Sequence, residues 1–132
     1  MHISRRTFVV TAVAGCIALT APSMASTTGE KSMYGLIGKM RATPGQRDAL
    51  IAILVEGVSS MPGCLSYVVA QDPKDPDAIW ITEVWDSKES HKASLSLSSV
   101  QDAIARGRPL IAAFDEHHET VPVGGHGIGA AA

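Results

Sequence analysis

The stretch CLSYVVAQDPKDPDAIWITEVWDSKESH, residues 64–91, decides the fold. In residues 64–71, Leu65, Tyr67 and Val69 alternate with Cys64, Ser66, Val68 and Ala70, the period of a strand. DPKDPD (72–77) cannot extend it. Its prolines lack the ladder donor and its aspartates bond their own backbone, so it reads as a hairpin turn. AIWITEVW (78–85) returns as a second strand, with Ile79, Ile81, Glu83 and Trp85 on one face and Trp80, Thr82 and Val84 on the other. DSKESH then opens a helical region capped by Asp86 or Ser87.

A hairpin that runs into a helix is the middle of a longer unit. Upstream, MYGLIGKMRA (33–42) predicts a strand with Tyr34, Leu36 and Met40 on one side and Ile37, Lys39 and Arg41 on the other. Gly38 stands between Leu36 and Met40. Glycine weakens a strand but lets something approach the backbone closely. TPGQRDALIAILVEGVSSM (43–61) predicts a helix. Thr43 is its expected N-cap, Pro44 its first residue and Gln46 the partner in a capping box. Leu50, Ile53, Leu54, Gly57, Val58 and Met61 recur at helical spacing, which gives one buried face, and Pro62-Gly63 stops the run. Downstream, SSVQDAIARG (98–107) predicts a further helical piece, ended by Gly107 and Pro109. LIAAFDEHHETVPV (110–123) predicts the last strand. The order is β-α-β-β-α-β, an α+β, ferredoxin-like split unit with an antiparallel sheet and helices on one face. The other face is expected to be apolar and in need of cover, for which a two-fold dimer is the simplest solution.

Length and composition agree with one domain. The chain has 132 residues, 45% hydrophobic and 18% charged, with a formal charge of −2. That balance and the lack of a basic run argue against a nucleic-acid or anionic-membrane partner. Residues 1–25 read as an export signal, with Arg5-Arg6 in SRRTFVV of twin-arginine type and Ser23-Met24-Ala25 as the cleavage site. The apolar run is a poor membrane span. VAGC (13–16) offers a rival processing site that would put a lipid on Cys16. The expected division is signal 1–25, flexible leader 26–32, domain 33–122 and flexible tail 123–132. The mature chain would be periplasmic or extracellular, or lipid-anchored to a membrane surface. It keeps one cysteine, Cys64, so it forms no internal disulfide even in an oxidising compartment.

Over residues 34–121 the chain resembles the antibiotic biosynthesis monooxygenase family, which includes quinol monooxygenase-like proteins. The residues that carry the likeness are Arg41-Ala42 with Pro44-Gly45, Pro62-Gly63-Cys64 with Tyr67, the Asp72-Pro73 and Asp75-Pro76 turn, Glu83-Val84-Trp85, and the run from Trp85 through Ser87-Lys88-Glu89. The resemblance implies a dimeric α+β barrel. It also implies, for some members, oxygenation of phenols or hydroquinones without metal or flavin. Relatives of the same fold bind and degrade haem. Many members carry a histidine where this chain has Ser94, and here His91 stands one turn earlier. The haem-degrading relatives use an asparagine, and this sequence contains none.

Each candidate residue has a bland reading beside a chemical one. Trp85 packs a core or walls an aromatic pocket with its indole N–H as donor. Glu83, a carboxylate inside a strand, is paired for structure or serves as a general base with a raised pKa. Tyr67 fills the core or donates to a substrate oxygen. His91 is exposed on its helix or is the base suited to neutral pH. His117-His118-Glu119 suggests a metal, but adjacent strand residues point to opposite faces, so the two histidines do not share an ion. Cys64 reads as a small apolar residue. The expected function is an exported, cofactor-independent monooxygenase that oxidises a small electron-rich aromatic such as a hydroquinone with O₂. His91 or Glu83 would be the base, and Tyr67 and Trp85 would orient the substrate. The alternative is a non-catalytic binding or stress protein of the same fold that holds a quinone, haem or other hydrophobic ligand.

Overall fold

The structure is a computed structural model and describes residues 32–130. The export signal, Cys16 and most of the leader lie outside the described residues. Strand β1 (Tyr34–Ala42) leads to helix α1 (Arg47–Gly57). Strands β2 (Cys64–Gln71) and β3 (Ala78–Trp85) form the hairpin. Helices α2 (Lys88–Ser94) and α3 (Ser98–Gly107) follow, and a short 3₁₀ turn at Arg108–Leu110 leads into β4 (Ile111–Thr120). Residues Gly124–Gly125 (β5) and Gly129–Ala130 (β6) pair as a minimal hairpin within the segment expected to be a loose tail.

The main sheet has the order β2-β3-β1-β4, and every neighbouring pair is antiparallel. This is the ferredoxin-like arrangement, with two helices where the last crossover needs one. Within the chain the sheet stays open. β1 occupies the centre, so its inner row of Tyr34, Leu36, Gly38 and Met40 runs down the middle of the helix-covered face. Two bulges in β4 bend it beside that row: Lys39 faces Glu116 but Met40 faces Phe114, and Arg41 faces Ala113 but Ala42 faces Ile111.

The core has two parts along this row. Ala42, Leu50, Ile79 and Ile81 form one, with Met40, Leu54, Tyr67 and Val69 packed against it. Tyr34, Leu36 and Trp85 form the other, with Met61 and Cys64 against it. α1 and α3 cover the first, and α2 lies by the second.

Two expectations are corrected. The helix does not begin with a capping box. Thr43-Pro44-Gly45-Gln46 is a tight turn, closed by the Gln46 N–H donating to the Thr43 carbonyl at 3.0 Å. Gly45 takes φ +79° there, which the third residue of a proline-led type II turn requires. The helix then starts at Arg47, and Gln46 makes no side-chain cap. The outer face of the sheet is mixed rather than apolar. Lys39 lies over the Trp80 ring at 5.3 Å and pairs with Asp72 at 3.3 Å. Arg41 holds Asp115 through two nitrogens, at 3.2 and 2.7 Å.

Candidate active site

Register brings the site together. On the inner face Leu36 of β1, Glu83 of β3 and Tyr67 of β2 stand in one cross-strand row, and Tyr34 opposes Trp85 in the next. Glu83 is therefore central in the sheet, and its side chain is only 14% exposed. A carboxylate there needs a partner. It has one: the Trp85 indole N–H donates to Glu83 Oε2 at 2.8 Å.

The second partner comes from α2. Ser87 caps this helix by accepting the Ser90 N–H at 3.1 Å, and the two-turn helix aims His91 inward. His91 Nε2 stands 3.9 Å from Glu83 Oε2. The imidazole is held between two rings. Tyr34 is 5.2 Å away centre to centre, and Trp85 meets it edge-on at 5.4 Å. Ser94 is buried, and its hydroxyl donates to the His91 carbonyl at 2.6 Å.

A polar clasp closes the outer side. The Tyr34 hydroxyl donates to Glu119 Oε1 at 2.9 Å. Lys88 pairs with Glu119 at 3.3 Å and lies over the Tyr34 ring. His117, opposite Gly38 on β4, is exposed. His118 turns to the other face and stands 3.3 Å from Glu116, as strand alternation requires. Among the described residues no group of three His, Cys, Asp or Glu side chains gathers as a metal site.

The electrostatics separate the two carboxylates. Burial pushes the Glu83 carboxyl up, against the Trp85 hydrogen bond and the nearby His91. The hydrogen bonds from Tyr34 and Lys88 hold Glu119 down. Burial, with Glu119 as hydrogen-bond acceptor, raises the Tyr34 hydroxyl to about 12. Burial and then Glu83 push the Tyr67 hydroxyl well above its ordinary value. The Cys64 thiol is raised by the same two causes. One raised carboxyl beside an imidazole, in a largely apolar setting, can accept and pass a proton.

Glu83, Trp85 and His91 thus converge, and Tyr67 flanks Glu83 from β2. Tyr34, Glu119 and Lys88 were not among the residues expected at the site. Strand alternation and the β1–β3 pairing were the signals for Tyr34. For Glu119 the two bulges hide the register.

A cavity of about 410 Å³ opens between α1, α3 and the start of β4, lined by Met40, Leu54, Gly57, Met61, Ile104 and Phe114 among others. Of the described residues that line it, Arg108 alone is ionisable. Glu83, Trp85, Tyr67 and His91 are not in its wall. Cavity and polar cluster lie on the same face, toward opposite ends of the β1 inner row. Met61 lines the one and packs against the other. The titratable groups are in the cluster. The cavity offers apolar volume.

The sequence model of the family described as antibiotic biosynthesis monooxygenase matches residues 33–106. Among solved structures, the chain is similar to a candidate antibiotic biosynthesis monooxygenase from Chloroflexus aurantiacus J-10-fl. Identity is 95% over 74% of this chain and 100% of that one, with a TM-score of 0.73. A second candidate of that description, from Caulobacter crescentus CB15, has 16% identity over 71% of this chain and 92% of that one, with a TM-score of 0.65. A Mycobacterium tuberculosis protein has 18% identity over 72% and 99%, with a TM-score of 0.62. The last two likenesses show the fold alone. Comparison with curated proteins gives no match.

Proposed function

Because the chain belongs to the antibiotic biosynthesis monooxygenase family, we propose that it is a cofactor-independent monooxygenase acting on a small electron-rich aromatic such as a hydroquinone. The observation that carries this reading is the half-buried Glu83 carboxylate, central in the sheet, bonded to Trp85 and faced by His91, with its pKa raised. The pair takes the phenolic proton. The resulting anion passes an electron to O₂, so the substrate supplies the reducing power. One oxygen atom enters the ring and the other leaves as water, and hydroquinone plus O₂ becomes hydroxyquinone plus water. Glu83 and His91 hold the proton, Tyr67 orients the substrate, and Trp85, buried with its N–H on Glu83, holds that carboxylate in place. The apolar cavity toward the other end of the β1 inner row suits a flat ligand.

Oxygen uptake with a panel of hydroquinones and anthrones tests the reading. Uptake well above the autoxidation blank, lost in His91→Ala and Glu83→Gln variants that still fold, is the expected result. Uptake no greater than the blank with every compound would overturn it.

The absence of a base from the cavity wall favours the second reading, a binding protein for a quinone, haem or other hydrophobic molecule. A Soret band in the purified protein would move the weight there. Export and a homodimer belong to the same proposal. Export rests on the Arg5-Arg6 signal, and an N-terminus at Ser26 in the secreted protein tests it. The dimer rests on the small size of the domain and on exposed Val68 in the outer sheet face, and sedimentation equilibrium tests it.

A further inference from the structure

We infer that Gly38 is a specificity-determining residue: its missing side chain leaves a seat on the sheet for a flat ring, between the apolar cavity and the Glu83–His91 pair. The inference deepens the proposed function and rests on it for the identity of the reacting groups.

Glycine in the middle of a central strand costs stability, so it asks for a reason. Conformation supplies none, because the positive-φ glycines of the described residues are Gly45, Gly63, Gly124, Gly127 and Gly129. Crowding supplies none either. A Cβ on Gly38 would meet only the Glu116 carbonyl within 4 Å, at an ordinary 3.7 Å. Gly35 in the same strand is the contrast, since a Cβ there would collide with the Thr120 hydroxyl and press on Pro122. The fold needs Gly35 bare and leaves Gly38 free.

The neighbours of Gly38 show what the space adjoins. Across the ladder it faces Ile81 on β3 and His117 on β4. One step along the inner row, Leu36 faces Glu83 and Glu119. One step the other way, Met40 faces Ile79 and Phe114, and both Met40 and Phe114 line the cavity. Strand rise makes each step roughly 7 Å, about the width of an aromatic ring. The room that a Cβ would take at Gly38 therefore lies between Met40, which lines the cavity, and the Leu36–Glu83 row, with Ile81 on one side and His117 on the other. A ring lying there places one edge toward the cavity and its hydroxyl toward Glu83.

The test uses Gly38→Ala and Gly38→Val beside the wild type, with naphthol as the calorimetric probe and oxygen uptake with a hydroquinone as the kinetic one. Both substitutions suit an ordinary strand conformation, so Tm should stay level or rise. Naphthol affinity should fall severalfold in Gly38→Ala and at least tenfold in Gly38→Val, and KM for the hydroquinone should rise in parallel. Should the valine variant fail to fold, the alanine variant decides alone. Unchanged naphthol affinity in a folded variant, or no naphthol binding by the wild type, overturns the inference. Graded loss of naphthol binding without any oxygen uptake keeps the seat and removes the monooxygenase chemistry instead.

Discussion

Glu83 is held ionisable in a place that disfavours its charge. Its folded-state pKa lies above the unfolded one, because burial outweighs the help from Trp85 and His91. The favourable contribution is therefore complete below the ordinary carboxylate range and is lost as pH rises through the folded value. Glu83→Gln has no such loss, so its Tm relative to wild type should improve as pH rises above the ordinary glutamate value of about 4.3, measured by thermal melts from acid to neutral pH. If Glu83 is the base, the same variant should lose about a hundredfold or more in kcat, and wild-type activity should climb with pH above the usual carboxylate range. Alternation alone made Glu83 and Trp85 legible in the sequence as neighbours on one face. His91 was legible as a nearby base, though its inward aim depends on Ser87 setting the helix phase. Tyr34 and Glu119 were harder to foresee, because their hydrogen bond joins residues 85 apart across a strand whose bulges break the count.

At the scale of elements, the β2–β3 turn is organised by one carboxylate. Asp72 accepts the N–H groups of Lys74, Asp75 and the Trp80 indole at 2.8, 3.0 and 2.8 Å. These bonds hold its pKa well below the usual range. The stabilisation is present above the unfolded value, about 3.9, and is lost as pH falls toward the folded one. Asp72→Ala should thus melt several degrees lower at neutral pH, and the gap should close as melts move into acid. The helix pair gives another prediction. A Cβ at Gly57 would lie 2.6 Å from the Ala103 Cβ, so Gly57→Ala must push α1 from α3. It should cost about 1–3 kcal/mol, read by urea titration. The aspartates and prolines spelled out the hairpin turn plainly. The start of α1 was misread because Pro44 serves a type II turn as well as a first helical turn, and Gly45 at positive φ tips the choice.

For the whole molecule, the fully buried Ile79 marks where the main core sits. Ile79→Ala should cost about 2–5 kcal/mol, with the midpoint of denaturant unfolding shifted and its slope kept. The architecture was legible because hydrophobic period switched cleanly from two to 3.6 along the chain. The outer face was misjudged: Lys39 and Arg41 were visible as charges, but their partners Asp72 and Asp115 become apparent only when turn and bulge are in place. The central position of β1 also governs how the protein is born. Its first strand emerges early in synthesis, yet one of its edges stays unsatisfied until the ten residues of β4 arrive at the far end of the domain. Non-local closure of this kind slows folding, and an open strand edge invites wrong partners. The last strand therefore decides when the nascent chain ceases to be a client of chaperones and proteases.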